Sequence, residues 1–314
     1  MCLAFIPLIC MSETVILWTA FNLFVLGMLA LDLGVFHRKS HDVGIREALT
    51  WTGVWITLAM IFNLFVYYHF SKEKAIEFFT GYILEKSLSI DNIFVMIMIF
   101  SYFNVPSSYQ HKVLFWGILG ALVMRVLFIL TGIELIHRFH ALIYIFGGFL
   151  IITGFRMLTS GDIKLEPEKN PVAKLARKLF PFTEAFERDQ FFVKREGRLW
   201  ATPLFLVVVL IEATDLIFAV DSIPAILAIS SDSFIVYTSN VFAILGLRSL
   251  YFALAGVAKY FQYLKYGLSA ILIFVGVKMS ITDLYKIPVD LSLIVIVFIL
   301  AISMVASVAF QKKS

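Results

Sequence analysis

The chain has 314 residues, of which 61% are hydrophobic and only 15% are charged, and its mean hydropathy is +0.91. Soluble globular domains do not reach this composition, whereas runs of about 20 apolar residues are typical of membrane-spanning helices. The net charge of +4 gives no indication of nucleic-acid binding, because the basic residues lie in the loops between apolar runs. Both cysteines, Cys2 and Cys10, precede the first complete run, so we expect neither a disulfide framework nor a thiolate metal site.

Hydropathy predicts an all-α integral membrane protein with about nine transmembrane helices. Most Lys and Arg residues of the loops lie on the side of the C-terminus, and the positive-inside rule therefore predicts a cytoplasmic C-terminus and an external N-terminus. The predicted spans cover residues 13–36, 48–70, 76–103, 112–134, 139–159, 203–230, 234–258, 264–283 and 288–310.

Two groups of three spans, in residues 76–159 and 203–283, resemble each other. Each second span carries a mid-helix arginine, and each third span carries a tyrosine followed ten residues later by Gly-x-basic-Met. Because three is an odd number, the two copies must have opposite orientations, as in many secondary transporters. The sequence thus predicts an inverted repeat of two three-helix units. The residues that mark it are Arg125 and Arg248, Tyr144 and Gly154, and Tyr266 and Gly276.

The remaining segments are two N-terminal helices, a soluble loop and a C-terminal helix. Within the loop, apolar and basic residues alternate with helical spacing over 171–179, which predicts a short amphipathic helix on the cytoplasmic leaflet. Further along, a small hairpin turned at Gly197 is expected. These segments comprise residues 1–75, 160–202 and 284–314.

Two acidic motifs lie inside predicted spans, 130 residues apart. One begins at Glu85 and reads E-K-S-L-S-I-D-N-I; the other begins at Asp215 and reads D-L-I-F-A-V-D-S-I. A charged side chain at the bilayer centre costs about 2.5–3.5 kcal/mol even on the lenient insertion scale, so these acids indicate function. We interpret them as a midplane carboxylate cage for a cation, formed by Glu85, Asp91, Asn92, Glu212, Asp215, Asp221 and Ser222. The counter-charges are Lys86, Arg125 and Arg248.

The donors of this cage are all oxygen atoms, which suit magnesium, calcium or manganese better than zinc or copper. Five acids against three bases leave two negative charges, which one divalent cation or two protons would balance. Pro224 is expected to open the second acidic helix beside Asp221. Met96 and Met98 are interpreted as packing residues. The competing interpretation is that the acids and bases only pair with one another to hold helices together.

Three long motifs resemble the TerC family of integral membrane proteins, and specifically its Alx-like branch. They span residues 84–92, 212–225 and 238–248. The resemblance implies a bacterial inner-membrane manganese exporter from a superfamily of duplicated three-span transporters. It also implies that the five acids bind or pass Mn²⁺.

We therefore expect a secondary transporter that exports Mn²⁺ in exchange for protons. Its partners would be the divalent metal ion and the lipid bilayer, with no resident cofactor, no nucleic acid and no enzymatic activity. The main rival is a non-transporting assembly or insertion factor for other membrane proteins. An intramembrane aspartyl protease is disfavoured because no Gly-x-Gly-Asp context is present, and a tellurium oxyanion would need a positive cage.

Overall fold

The computed structural model describes residues 6–34, 44–139, 141–159, 171–195, 197–255 and 263–309. They form eleven helices and one hairpin, divided between a unit of residues 1–42 and a unit of residues 43–314. The first unit contains α1 (Ile6–Gly34). The second contains α2 (Ile45–His69), α3 (Lys72–Tyr102), α4 (Ser107–Arg138), α5 (Leu142–Thr159), α6 (Pro171–Leu179), β1 (Phe192–Arg195), β2 (Arg198–Ala201), α7 (Pro203–Leu227), α8 (Ser233–Leu245), α9 (Leu247–Ala255), α10 (Leu264–Ser280) and α11 (Val289–Ala309).

Every predicted span coincides with a helix or, in the case of 234–258, with the pair α8 and α9. Among the described residues, α1, α2, α4, α5 and α11 are long and apolar enough to cross a membrane. A sixth span results if α8 and α9, which are bent by 40° at Gly246, are taken together. The prediction of a helical integral membrane protein is confirmed. The count of nine, which needs α3, α7 and α10 as well, stays a prediction.

Large apolar side chains cover the outside of several of these helices. Ile61 of α2 is 60% exposed, Ile152 of α5 is 68% exposed and Phe298 of α11 is 64% exposed. So many large apolar side chains exposed in this way are unusual on soluble monomers. A surrounding of hydrocarbon, where such side chains cost nothing to expose, accounts for it.

Four helices pack together in the middle of the second unit. Helix α3 contacts α7 and α8, and α4 contacts α7 and α8. Gly81 near the start of α3 faces Ile226 near the end of α7, whereas Asn92 further along α3 contacts Asp215 in the first half of α7. The two helices that carry the acidic motifs therefore run antiparallel.

Helices α5 and α10 also cross antiparallel, through a contact that is nearly the same from either side. A methyl group added to Gly154 would lie 2.6 Å from Cγ1 of Ile273 and 2.9 Å from the carbonyl oxygen of Ser269. One added to Gly276 would lie 2.8 Å from Cγ1 of Ile151 and 2.6 Å from the carbonyl oxygen of Gly147. When the two halves are aligned with Tyr144 opposite Tyr266, Gly154 corresponds to Gly276 and Ile151 to Ile273. The contacts of Gly154 and those of Gly276 are then equivalent, with the two helices exchanged.

The helix break lies elsewhere than expected. Helix α7 continues through Pro224 to Leu227. Pro224 therefore removes one backbone hydrogen bond from the helix, because proline has no N–H to donate, but it does not end the helix. The break falls instead at Gly246, between α8 and α9. A methyl group on Gly246 would lie 3.0 Å from both Cβ of Trp55 and Nζ of Lys86, so these side chains occupy the space that a larger residue would need.

The loop before α7 has the predicted local structure. Helix α6 covers residues 171–179, and the hairpin pairs Arg195 with Arg198 across Gly197, whose φ of 75° suits glycine. Ala173 and Ala176 are buried, while the basic residues of α6 are exposed. The part of the loop at 160–170 lies outside the described residues.

The α5–α10 crossing gives a stability test. Gly147→Ala would place a methyl group 2.8 Å from the carbonyl oxygen of Gly276, whereas Gly148→Ala meets nothing within 4 Å. We expect Gly147→Ala to lower the unfolding free energy by about 1–3 kcal/mol, as overpacking does. Gly148→Ala should be neutral or slightly stabilising, because alanine favours a helix. Thermal unfolding of both variants in detergent checks this, and equal melting temperatures would contradict the close approach.

Candidate functional site

A buried arginine joins helices α3, α4 and α8. Arg125 of α4 forms an ion pair with Glu85 of α3, and the side chains are 3% and 0% exposed. Its Nη1 also donates to Oδ1 of Asn240 of α8 at 3.3 Å, and Nδ2 of Asn240 donates to the other carboxylate oxygen of Glu85 at 3.0 Å. Three side chains from three helices thus pair with one another away from solvent, as buried charges require, while Nε of Arg125 has no partner among the described residues.

Helix α7 joins this network through Asp215. Its Oδ1 accepts a hydrogen bond from Nδ2 of Asn92 at 3.2 Å and lies 3.9 Å from Nη2 of Arg125. Asp215 is itself buried. The two acidic motifs, predicted from sequence to meet, therefore do so through Asn92 of the first and Asp215 of the second.

A small cavity lies beside this contact, between α3 and α7. Its volume of about 10 Å³ is close to the least that holds one water molecule. Four lining side chains are apolar, and the other four carry oxygen or sulfur atoms. The latter are Asn92, Met96, Thr214 and Asp215.

Three buried oxygen atoms of the two acidic motifs have no hydrogen-bond partner among the described residues. They are Oγ of Ser89, whose residue is 1% exposed, Oδ1 of Asn92, whose residue is 4% exposed, and Oγ of Ser222, whose residue is 3% exposed. Ser222 lies seven residues after Asp215, on the same face of α7. Buried polar atoms are normally satisfied, so oxygens of this kind are available to a further ligand such as a cation.

Three further residues of the predicted site lie in different surroundings. Glu212 is partly buried, and its carboxylate fills the space beside Gly120 of α4. Arg248 is buried. Lys86 donates to the carbonyl oxygen of Ala243 at 3.0 Å, near the break between α8 and α9, and not to a described carboxylate.

The side chains of two members of the predicted cage are not described by the structure. Asp91 belongs to α3 and Asp221 to α7, but their side chains lie outside the described part of the structure. Among the side chains that are described, no three Asp, Glu, His or Cys residues lie close enough together to hold a metal ion. The cage as a whole therefore stays a prediction, of which the Asn92–Asp215 contact is the described part.

Sequence reasoning missed the roles of Asn240 and of a second polar cluster. Asn240 forms hydrogen bonds between helices, and its two partners are Arg125 and Glu85, the central ion pair. In the second cluster, Glu77 accepts from Oγ of Ser230 at 2.5 Å and pairs with Lys74 at 2.9 Å, and Lys74 lies 3.5 Å from Asp232. The sequence signal for this cluster was Glu77, an acid eight residues before Glu85 and near the start of a predicted span.

The geometry defines a polytopic α-helical membrane protein whose central helices meet at a buried polar network. The model of the integral membrane protein TerC family matches residues 70–314. A Myxococcus xanthus protein named "Uncharacterized membrane protein STKORF319" is 53% identical over 291 residues, which cover 93% of this chain and 91% of that protein. The Escherichia coli K12 protein named "Putative membrane-bound redox modulator Alx" is 45% identical over 301 residues, covering 93% and 94%. An uncharacterized membrane protein of Rickettsia bellii is 42% identical over 291 residues, covering 93% and 96%.

The chain belongs to the TerC family of integral membrane proteins, as its motifs indicated. No solved structure matches it.

The central ion pair gives a second test. Arg125→Met leaves Glu85 buried without its cation and should lower the unfolding free energy by about 3–5 kcal/mol. Adding Glu85→Leu removes the unpaired charge and should recover much of that loss, because apolar replacements of buried pairs are often neutral. A double-mutant cycle measured by unfolding in detergent reports the coupling.

The control for this cycle is Arg138→Gln. Arg138 pairs with Glu134 at 3.3 Å, but both side chains are about two-thirds exposed. Its loss should cost no more than about 0.5 kcal/mol. Additive effects of the Arg125 and Glu85 substitutions would show that the buried pair has no coupling.

Proposed function

We propose that this protein is a secondary transporter that exports Mn²⁺ across the inner membrane in exchange for protons. The observation that carries the proposal is the buried contact between Asn92 and Asp215, where Oδ1 of Asn92 has no partner among the described residues. The unpartnered hydroxyl of Ser222 lies two helical turns, about 10 Å, further along α7. A carboxylate, an amide oxygen and a hydroxyl are ligands for hard divalent cations. Asp91, Asp221 and Glu212 would complete the ligand set.

The charges of the network fit a site that accepts positive charge. Glu85 is neutralised by Arg125, whereas Asp215 receives only the amide of Asn92 and a more distant contact with Arg125. Lys86 is bound to a backbone carbonyl. The acids of the motifs that Arg125 and Lys86 do not neutralise would bind one divalent ion. Protons could bind to the same acids in its place, and this competition for one set of carboxylates is the basis of exchange.

The packing of the helices supports the inverted repeat on which alternating access would depend. Helices α3 and α7 are antiparallel, and so are α5 and α10. The contacts of Gly154 and Gly276 exchange places under the alignment of the two halves, as a pseudo-two-fold axis requires. In such transporters the ion site lies near the midplane, between the first helices of the halves.

The orientation of the chain and the identity of the ion rest on further observations, and export as the direction of transport rests on the family resemblance. The basic loops favour a cytoplasmic C-terminus and an external N-terminus. Oxygen ligands alone leave manganese, magnesium and calcium open, and the family resemblance favours manganese. Manganese is redox-active, so control of its level would also link a transporter to the redox role in the name of the Escherichia coli relative.

Transport by inverted vesicles or proteoliposomes tests the site. Wild-type protein should take up Mn²⁺, and Asp215→Asn and Asp221→Asn should each reduce the initial rate at least tenfold, because each removes a charge that the cation would neutralise. Asp290→Asn is the matched control, since Asp290 is an exposed aspartate at the start of α11, and it should transport normally. Normal uptake by both site variants would rule out the midplane site.

A pH gradient tests the exchange. With an acidic lumen, protons leaving the vesicle should drive Mn²⁺ inward, and a proton ionophore should abolish the gradient-dependent part of the uptake. Uptake that is independent of the gradient would refute proton exchange while leaving transport intact. A well-folded wild-type protein that moves no Mn²⁺ under any gradient would favour the assembly-factor alternative.

A further inference from the structure

Met96 lies in the wall of the cavity that contains Asn92 and Asp215. It was expected to be a packing residue, like Met98, but the two methionines differ in position. Met96 follows Asn92 by four residues and shares its face of α3, whereas Met98 is turned about 200° further around the helix. Met96 is also buried, with 6% of its surface exposed. Met96 is therefore a residue of the same cavity wall as the proposed ligands.

The cavity wall combines three oxygen-bearing side chains with this single sulfur. Asp215 supplies a carboxylate, and Asn92 an amide oxygen with no partner among the described residues. Thr214 donates its hydroxyl hydrogen to the carbonyl oxygen of Leu210 at 2.7 Å, so its oxygen lone pairs remain available. Sulfur is the chemical feature that distinguishes this set from an ordinary hard-cation site.

We propose that Met96 is a specificity-determining residue, whose thioether favours a first-row transition-metal dication such as Mn²⁺ over Mg²⁺ and Ca²⁺. This inference rests on the proposed function and names what selects its substrate. A volume of about 10 Å³ cannot hold a cation together with its shell of water. An ion that enters must therefore exchange water for atoms of the wall.

That exchange has different consequences for the three ions. Ca²⁺ takes six to eight oxygen ligands, and Mg²⁺ demands near-octahedral oxygen geometry and releases its water reluctantly. Neither ion gains from a thioether. Mn²⁺ prefers oxygen ligands too and is the hardest dication of the first transition row, but as a member of that row it accepts one softer ligand at a smaller cost than Mg²⁺ or Ca²⁺. A wall that offers sulfur in place of one oxygen therefore disfavours Mn²⁺ less than it disfavours the other two ions.

The competing explanation is that Met96 only fills space, as methionine often does in cores. In that case Met96→Leu, which nearly conserves volume, should leave the ion preference unchanged. Met96→Gln distinguishes the two ideas further, because it replaces sulfur by a hard oxygen donor on a side chain of similar length.

The experiment measures Mn²⁺ uptake by proteoliposomes in competition with Mg²⁺ and with Ca²⁺. For Met96→Leu we expect the concentration of either competitor that halves Mn²⁺ uptake to fall at least tenfold relative to wild type, and for Met96→Gln to fall further. Met98→Leu, the matched control, should keep the wild-type preference. An unchanged preference in well-folded Met96→Leu and Met96→Gln would overturn the inference and leave the proposed function standing.

A measurement on wild-type protein avoids any folding defect of the variants. X-ray absorption of bound Mn²⁺ should detect one sulfur atom in its first shell, and an all-oxygen shell would overturn the inference. If wild type binds Mn²⁺ through sulfur but moves none, the proposed function fails while the assignment of Met96 holds. If Mn²⁺ neither binds nor moves, both fail.

Discussion

The buried ion pair between Arg125 and Glu85 is the constraint on which the centre of the molecule depends. Removing two charges from water is costly, and the cost is recovered only when the remaining donors and acceptors are also satisfied. Arginine suits this position because its planar fork can reach several acceptors at once, here Glu85, Asn240 and, at longer range, Asp215. One side chain of α4 thereby fixes the positions of α3, α7 and α8 relative to one another.

The same network prepares the proposed cation site without occupying it. Glu85 is used for scaffolding, whereas Asp215 is held at the edge of the network by Asn92 and lies 3.9 Å from Arg125. A nearby cation weakens the attraction of a carboxylate for a metal ion. For a transporter this is useful, because an ion must bind well enough to enter and weakly enough to leave. The buried arginine would thus give structure to the site and also moderate its affinity.

The sequence predicted those features that depend on local pattern. Apolar runs located every described helix except α6, helical spacing located α6 at 171–179, and Gly197 located the hairpin turn. The cost of buried charge singled out Glu85 and Asp215. Tertiary features could not be read in this way: Asn240 lies 115 residues from Arg125, and the direction in which Met96 points depends on the rotation of α3 against α7. The break at Gly246 likewise reflects the contacts of Trp55 and Lys86.

That break also makes the two proposed halves unequal. Helix α4 is continuous over residues 107–138, whereas its counterpart is divided into α8 and α9. Lys86 donates to the carbonyl oxygen of Ala243 near the end of α8, where the helix dipole favours a cation. Two inverted halves in identical conformations would present the same access to both sides of the membrane. A difference between them is what gives a transporter access from one side at a time, so the divided helix and the lysine that contacts its end are the part of this fold where alternating access would be expressed.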